Sequence, residues 1–259
     1  MLNPAKFIGK RVTRTFSSNK WDFLDQQKWD GVKLLIKSKV HYPGPPNPMN
    51  GFLGYSGLWL FYNGNEAAIV DAPFVWQERK KICSTIRSYL DERSLHLKFI
   101  TCSHLHRDHA EGLTALLEYF PEATFIFPNS WRHNWKEFPK NIDPPGFEQM
   151  FHRQYSLGYD VDWIDDLAGE RIQFFRAPYH SKTDQVVSFR GVGLLPDWHL
   201  PTNPTEKCKL VKAPKHEIKK TIKIMEGSGI NASLSAHGKR DARHDFQFRI
   251  SMAKQKFHV

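Results

Sequence analysis

Within six residues the sequence places three imidazoles and a carboxylate: His104, His106, Asp108 and His109, in Ser103-His104-Leu105-His106-Arg107-Asp108-His109. The run follows Leu97 to Cys102, a short apolar stretch that reads as a strand. In an extended chain residues i and i+2 face the same way, so His104 and His106 can converge on one ion. The chain must then turn into a helix carrying Leu113, Leu116, Leu117 and Phe120, and that turn directs Asp108 and His109 toward a second position nearby. Imidazole nitrogen with carboxylate oxygen suits zinc, and also iron or manganese. The plain alternative is a polar surface loop that happens to be rich in histidine, and the density of ligands argues against it. No Gly-x-Ser-x-Gly run is present, so no serine nucleophile is signalled. Gly191-Val192-Gly193 does not open a helix, which argues against a dinucleotide fingerprint.

The elements that must position these residues alternate along the chain. Val32 to Val40 reads as a first strand, followed by a Pro-rich loop from His41 to Asn50. Leu58 to Tyr62 and Ala67 to Asp71 read as strands joined at Asn63-Gly64-Asn65, a hairpin signal. Gln77 to Glu92 has helical periodicity, with Ile82, Ile86 and Leu90 on one face. Strands are expected again at Thr124 to Phe127, Ile172 to Arg176, Gln185 to Phe189, Val192 to Leu195 and Ala232 to Ser235. Helices are expected at Lys215 to Met225 and after Gly238, and Gly227-Ser228-Gly229 reads as a helix-ending turn. Two successive sets of alternating strands and helices suggest a layered α/β domain with helices outside two sheets.

HLHRDH matches the H-x-H-x-D-H signature of the metallo-β-lactamase superfamily, and the chain resembles that superfamily over about residues 30 to 240. Asp71 is similar to the early acidic residue that supports the site from behind. His180, in Ala177-Pro178-Tyr179-His180, resembles the third ligand of the first metal. Asp197, in Leu195-Pro196-Asp197, resembles the carboxylate that bridges two metals, and His237, in Ser235-Ala236-His237-Gly238, the last ligand of the second. The resemblance thus implies that His104, His106 and His180 hold one metal and that Asp108, His109 and His237 hold the other, with Asp197 between them. It also implies a four-layer αββα sandwich and two divalent ions, zinc foremost with iron or manganese as alternatives. Such ions lie roughly 3.5 Å apart and share a hydroxide able to attack at neutral pH. Asp108 is the implied catalytic group, orienting the nucleophile or taking up a proton. Two positions depart from the pattern: the glycine before the third ligand is Tyr179, and the glycine before the bridging aspartate is Pro196. Pro196 has a fixed φ that the turn must accommodate, so retention of the second metal turns on the geometry at Asp197.

The bridging carboxylate resembles the glyoxalase II, lactonase and thioesterase branches, which implies hydrolysis of a small acyl substrate: an ester, thioester or lactone. Tyr179, His199, Trp131 and Trp135 are the candidates for lining the pocket, with His133 and His152 behind them, and the aromatic stretch from Trp131 to Tyr159 can cap it. Two alternatives share the ligand set. One is phosphodiester cleavage, as in nucleases of the superfamily. The other is an iron-dependent redox enzyme that uses oxygen.

Composition bounds these readings. The chain has 259 residues, 40% of them hydrophobic and 14% aromatic, enough for a full core. Residues 1–28 read as a basic N-terminal arm and 29–259 as one metallo-β-lactamase-like domain, with 130–160 a helical, aromatic insertion near the pocket. The formal charge of +10 is concentrated at the two ends, which suits an anionic substrate, nucleic acid or a membrane surface and favours the phosphodiester alternative; a small-molecule substrate is the expected partner and nucleic acid the second. No apolar run is long enough to span a membrane. Cys83, Cys102 and Cys208 are odd in number and lack CxxC spacing, so a disulfide framework is not expected and a reducing compartment fits. Cys102 reads as a core thiol. A cytoplasmic location is expected. The first twenty residues, basic and without an acid, faintly resemble an organelle transit segment, the alternative address.

Overall fold

A computed structural model describes residues 21–41, 52–135, 146, 148–198, 200–201, 203–206, 211–237 and 246–259. The elements in chain order are β1 (Trp21–Trp29), β2 (Val32–His41), β3 (Phe52–Asn63), β4 (Glu66–Val70), α1 (Arg79–Glu92), β5 (His96–Thr101), α2 (Arg107–Ala110), α3 (Leu113–Tyr119), β6 (Thr124–Pro128), α4 (Trp131–Asn134), β7 (Ser156–Tyr159), β8 (Asp162–Leu167), β9 (Glu170–Arg176), β10 (Gln185–Phe189), β11 (Val192–Leu195), α5 (Lys215–Glu226), β12 (Ala232–Ser235) and α6 (Phe246–Phe257). They form a seven-stranded sheet in the order β1-β2-β3-β4-β5-β6-β7 and a five-stranded sheet in the order β12-β11-β10-β9-β8. In the larger sheet β1 to β4 pair antiparallel and β4 to β7 pair parallel. The smaller sheet is antiparallel except for β11 with β12.

Period-two alternation along the strands creates the layers. On β3, Trp59 and Phe61 face the smaller sheet while Leu58 and Leu60 face the helices, and on β4 Ala68 and Val70 oppose Ala67 and Ile69 in the same way. On the other sheet Phe174, Val187 and Leu194 point to the middle, whereas their neighbours Phe175, Val186 and Leu195 point outward. The middle core therefore lies between the sheets. The outer cores are closed by Ile82, Ile86, Leu113 and Leu116 from α1 and α3, and by Ile218, Ile222 and Ile250 from α5 and α6. The result is a four-layer αββα sandwich.

The Asn63-Gly64 hairpin closes with Asn63 opposite Glu66, and Gly64 takes a φ of 52° at the first turn position. Three strands lie where sequence periodicity gave none: β1, β7 and β8. Of the basic arm expected over 1–28, residues 1–20 lie outside the described residues and 21–28 belong to β1. The stretch 130–160, read as an insertion, begins with α4 and ends with β7, which pairs parallel with β6. Its end is thus part of the sheet, because its backbone completes the β6 ladder. Residues 136–145 and 147 lie outside the description. No helix among the described residues is long and apolar enough to cross a membrane.

Candidate metal centre

The site sits where several strands end. His104 and His106 follow β5, His106 precedes α2, and Asp108 and His109 lie within α2. His180 is in the loop between β9 and β10, Asp197 just after β11, and His237 just after β12. Backbone hydrogen bonds fix these ends against one another. Asp71 N–H donates to Thr101 O at 3.0 Å, Ala72 N–H to His109 O at 2.7 Å, Gln185 N–H to Ser103 O at 2.7 Å, and Ala236 N–H to Leu195 O at 2.9 Å. The last of these sets His237 beside Asp197.

The side chains form two clusters that share Asp197. One is His104, His106, His180 and Asp197, and the other is Asp108, His109, His237 and Asp197, with ligand atoms in each group within 4.8 Å of one another. His106 Nδ1 lies 2.9 Å from His104 Nε2 and 3.1 Å from His180 Nε2. Asp197 divides its carboxylate. Its Oδ2 is 3.9 Å from His104 Nε2 and 3.8 Å from His180 Nε2, whereas its Oδ1 is 2.6 Å from His237 Nε2 and 3.4 Å from His109 Nε2. Asp108 Oδ2 completes the second cluster at 3.3 Å from His109 Nε2 and 4.0 Å from His237 Nε2.

Behind the ligands, Asp71 accepts from Ser103 N–H at 2.5 Å and from the Ser103 hydroxyl at 3.1 Å, and its Oδ2 lies 2.8 Å from His109 Nδ1. An Nδ1–H bond to a carboxylate leaves the Nε2 lone pair facing the site. Asp71 adopts a φ of 70°, a left-handed conformation that Asp and Asn tolerate better than most residues. Ser56 on β3 donates to Asp108 Oδ2 at 3.3 Å and lies 3.4 Å from His237 Nδ1.

Burial, reinforced by the nearby His109 and His106 rings, pushes His104 well below its usual range. Burial and the adjacent His180 bring His106 down to about 4. Both rings are therefore neutral acceptors at pH 7. Burial alone would also lower His109, yet Asp108, Asp71 and Asp197 around it push it well above the usual value. Burial opposes ionisation of Asp108 and Asp197, but His109 first and other imidazoles after it hold both carboxyls well below the carboxylate range.

Three carboxylates beside one buried imidazole require positive charge in a place that excludes water. Two atoms facing each other there, His109 Nε2 and Asp197 Oδ1, are buried with no well-aligned hydrogen bond, although His237 Nε2 lies 2.6 Å from Asp197 Oδ1. Unsatisfied buried acceptors of this kind call for a cation. Each cluster offers three imidazole or carboxylate side chains in addition to a shared carboxylate oxygen, a donor set that fits divalent metal.

Comparison with known proteins agrees with this architecture. No known family profile matches the chain. The metallo-β-lactamase FIM-1 from Pseudomonas aeruginosa, in its mono-zinc form, superposes with a TM-score of 0.60 at 14% identity, over 93% of this chain and 97% of that one. The chain has the metallo-β-lactamase fold. A flavoprotein from Thermotoga maritima shares that fold, with a TM-score of 0.60 at 14% identity over 92% of this chain and 62% of its own. Hydroxyacylglutathione hydrolase 1 of Vibrio vulnificus (strain YJ016) is 32% identical over 71 residues, 27% of this chain. The chain spans about a quarter of the length of the curated relatives it matches, 26% in that case.

Within this metallo-β-lactamase fold the pocket candidates occupy different places. Trp131 is fully buried in the outer core, and its indole N–H donates to Thr183 O at 2.7 Å. Tyr179 is 1% exposed and packs in the core under α5 and α6. Both therefore brace the His180 loop from within. Trp135 is half-buried against the outer core, and His199 lies outside the described residues. Cys102 is fully buried in the core, where burial pushes its thiol well up. Sequence reasoning missed Ser56, Asp184 and Trp198. Asp184 had a signal in its position four residues after His180, whereas Ser56 had none.

Proposed function

We propose that the protein is a metal-dependent hydrolase that cleaves a small acyl substrate, an ester, thioester or lactone, at a two-metal centre. The observation that carries this reading is the divided carboxylate of Asp197, with one oxygen toward each histidine cluster. The Vibrio vulnificus relative is by name a hydrolase of an acyl compound, which supports the acyl class. The two clusters would hold divalent cations, zinc foremost, whose chemistry would be to make a water more acidic and to polarise the oxygen under attack.

The protein's own residues do the rest. His104 and His106 present neutral nitrogens from one side with His180 beside them, and Asp71 holds His109 so that Nε2 faces inward. The Asp108 carboxylate, kept ionised by His109 and receiving the Ser56 hydroxyl at Oδ2, would orient the attacking oxygen. The half-buried faces of His106, Asp197 and His237 are the side from which substrate enters, while His104, His109 and Asp71 are closed to water.

The test is metal analysis of protein isolated without added metal, followed by a panel of thioesters, lactones and phosphodiesters. Two equivalents of divalent metal and turnover of the acyl members are expected. Turnover of phosphodiesters alone would replace the acyl reading with a nuclease. Bound iron with oxygen consumption and no hydrolysis would replace it with a redox enzyme.

A further inference from the structure

Asp184 stands just before β10 and is completely buried, and no cationic side chain bonds to it in the described contacts. Its Oδ2 accepts the backbone N–H groups of Tyr179 at 3.0 Å, His180 at 2.5 Å and Ser181 at 3.0 Å, and its Oδ1 accepts the Ser181 hydroxyl at 2.6 Å. A loop closed on its own aspartate accounts for those bonds. It does not account for the next one. The indole N–H of Trp198, from the loop after β11, donates to the same Oδ2 at 2.9 Å. Trp198 follows Asp197, and its backbone N–H closes a three-residue turn on Pro196 O at 2.7 Å with Asp197 at the centre. The Trp198 and Tyr179 rings also pack against each other, 5.1 Å between centroids.

One buried carboxylate thus grips the residue that carries the third imidazole and the residue adjoining the shared carboxylate, and the same two loops are those where this chain has Tyr179 and Pro196. We infer that Asp184 and Trp198 form a clasp that sets the position of His180 relative to Asp197, making both positioning residues of the metal centre. A backbone turn with a glycine can adjust freely around an ion. A turn stiffened by Pro196 cannot, and the clasp supplies the registration from outside. The inference rests on the two-metal reading above.

Zinc affinity of the full chain, measured by competition with a chromophoric chelator, tests it for the wild type, Trp198→Phe, Asp184→Asn and the double variant. Phenylalanine keeps a ring on Tyr179 and removes only the N–H, so Trp198→Phe is the mild variant and folding is checked by circular dichroism without metal. We expect Trp198→Phe to bind zinc about 10-fold to 100-fold more weakly at one site, as loss of a supporting hydrogen bond commonly does. The visible spectrum of its cobalt-substituted form should shift, and the double variant should lose less than the product of the two single losses. Wild-type affinity and spectrum in Trp198→Phe, or fully multiplicative losses, would overturn the clasp. A wild-type chain that binds neither zinc nor cobalt would overturn the metal centre itself, and the clasp with it.

Discussion

Asp71 shows how much of the candidate site is held by a residue that stands behind the two ligand clusters. It combines a left-handed backbone, two bonds to Ser103 and one to the inner nitrogen of His109. Asparagine tolerates the same backbone and is the same size, so Asp71→Asn removes the charge and turns one accepting oxygen into a donor without disturbing the turn. We expect this variant to keep its fold and to lose about 10-fold to 100-fold in metal affinity and in turnover. Equilibrium chelator competition checks it, and an unchanged affinity would remove Asp71 from the site. At this scale the sequence was highly legible. The i, i+2 geometry of an extended chain made His104 and His106 a pair before any fold was known. Ser56 was invisible because its partners are Asp108 and His237, 52 and 181 residues away.

At the scale of elements, buried strands announced themselves and edge strands did not. Runs such as Gln185–Phe189 are buried at every position. β1, with Asp22, Asp25, Gln26, Gln27 and Lys28 in nine residues, reads as polar surface. It is held instead by a bulge at Asp25, where φ is 43°. The Asp25 carboxylate meets Lys33 Nζ at 2.7 Å, the Tyr89 hydroxyl at 2.6 Å and Arg93 Nη2 at 3.2 Å, joining β1 to β2 and α1. Partial burial would raise the Asp25 carboxyl, but the bonds from Lys33 and Tyr89 and the charges of Lys33 and Arg93 hold it below its ordinary value. A carboxyl depressed on folding stabilises above its unfolded value of about 4 and loses that contribution as pH falls through the folded value. Thermal unfolding of wild type and Asp25→Asn should therefore differ at pH 6 and converge as the pH falls below the unfolded value of about 4. A gap that stays constant down to pH 2 would show that the charge of Asp25 is not what fastens β1.

For the whole molecule, the metal centre is also a joint. The larger sheet contributes His104, His106, Asp108 and His109 from its β5 end, and the smaller sheet contributes His180, Asp197 and His237. An ion bound by residues of both sheets binds the folded chain and not the unfolded one, so it stabilises by mass action. At a free metal concentration ~1,000 times Kd the gain is ~4 kcal/mol, which for a domain of this size corresponds to a Tm shift of roughly 10 °C. Removing metal with a chelator should lower Tm by about that amount, and readdition should restore it. Calorimetry with and without chelator reads this directly, and identical melting curves would mean that no cation joins the sheets.

The local cluster from His104 to His109, the alternation of strands and helices, and thereby the layered class of the fold were determined by the sequence itself. Each depends on residues a few positions apart, where backbone geometry alone fixes which side chains meet. Only the tertiary structure decided that the two oxygens of Asp197 face different clusters, that Trp131 and Tyr179 lie in the core, and that Asp184 grips Trp198. Those facts depend on how strand ends from two sheets are brought together, and an aromatic ring or a carboxylate has no local signal that says which neighbour it will meet. The run at Ser103 to His109 named the chemistry, and the packing of the sheets decided how its partners are held.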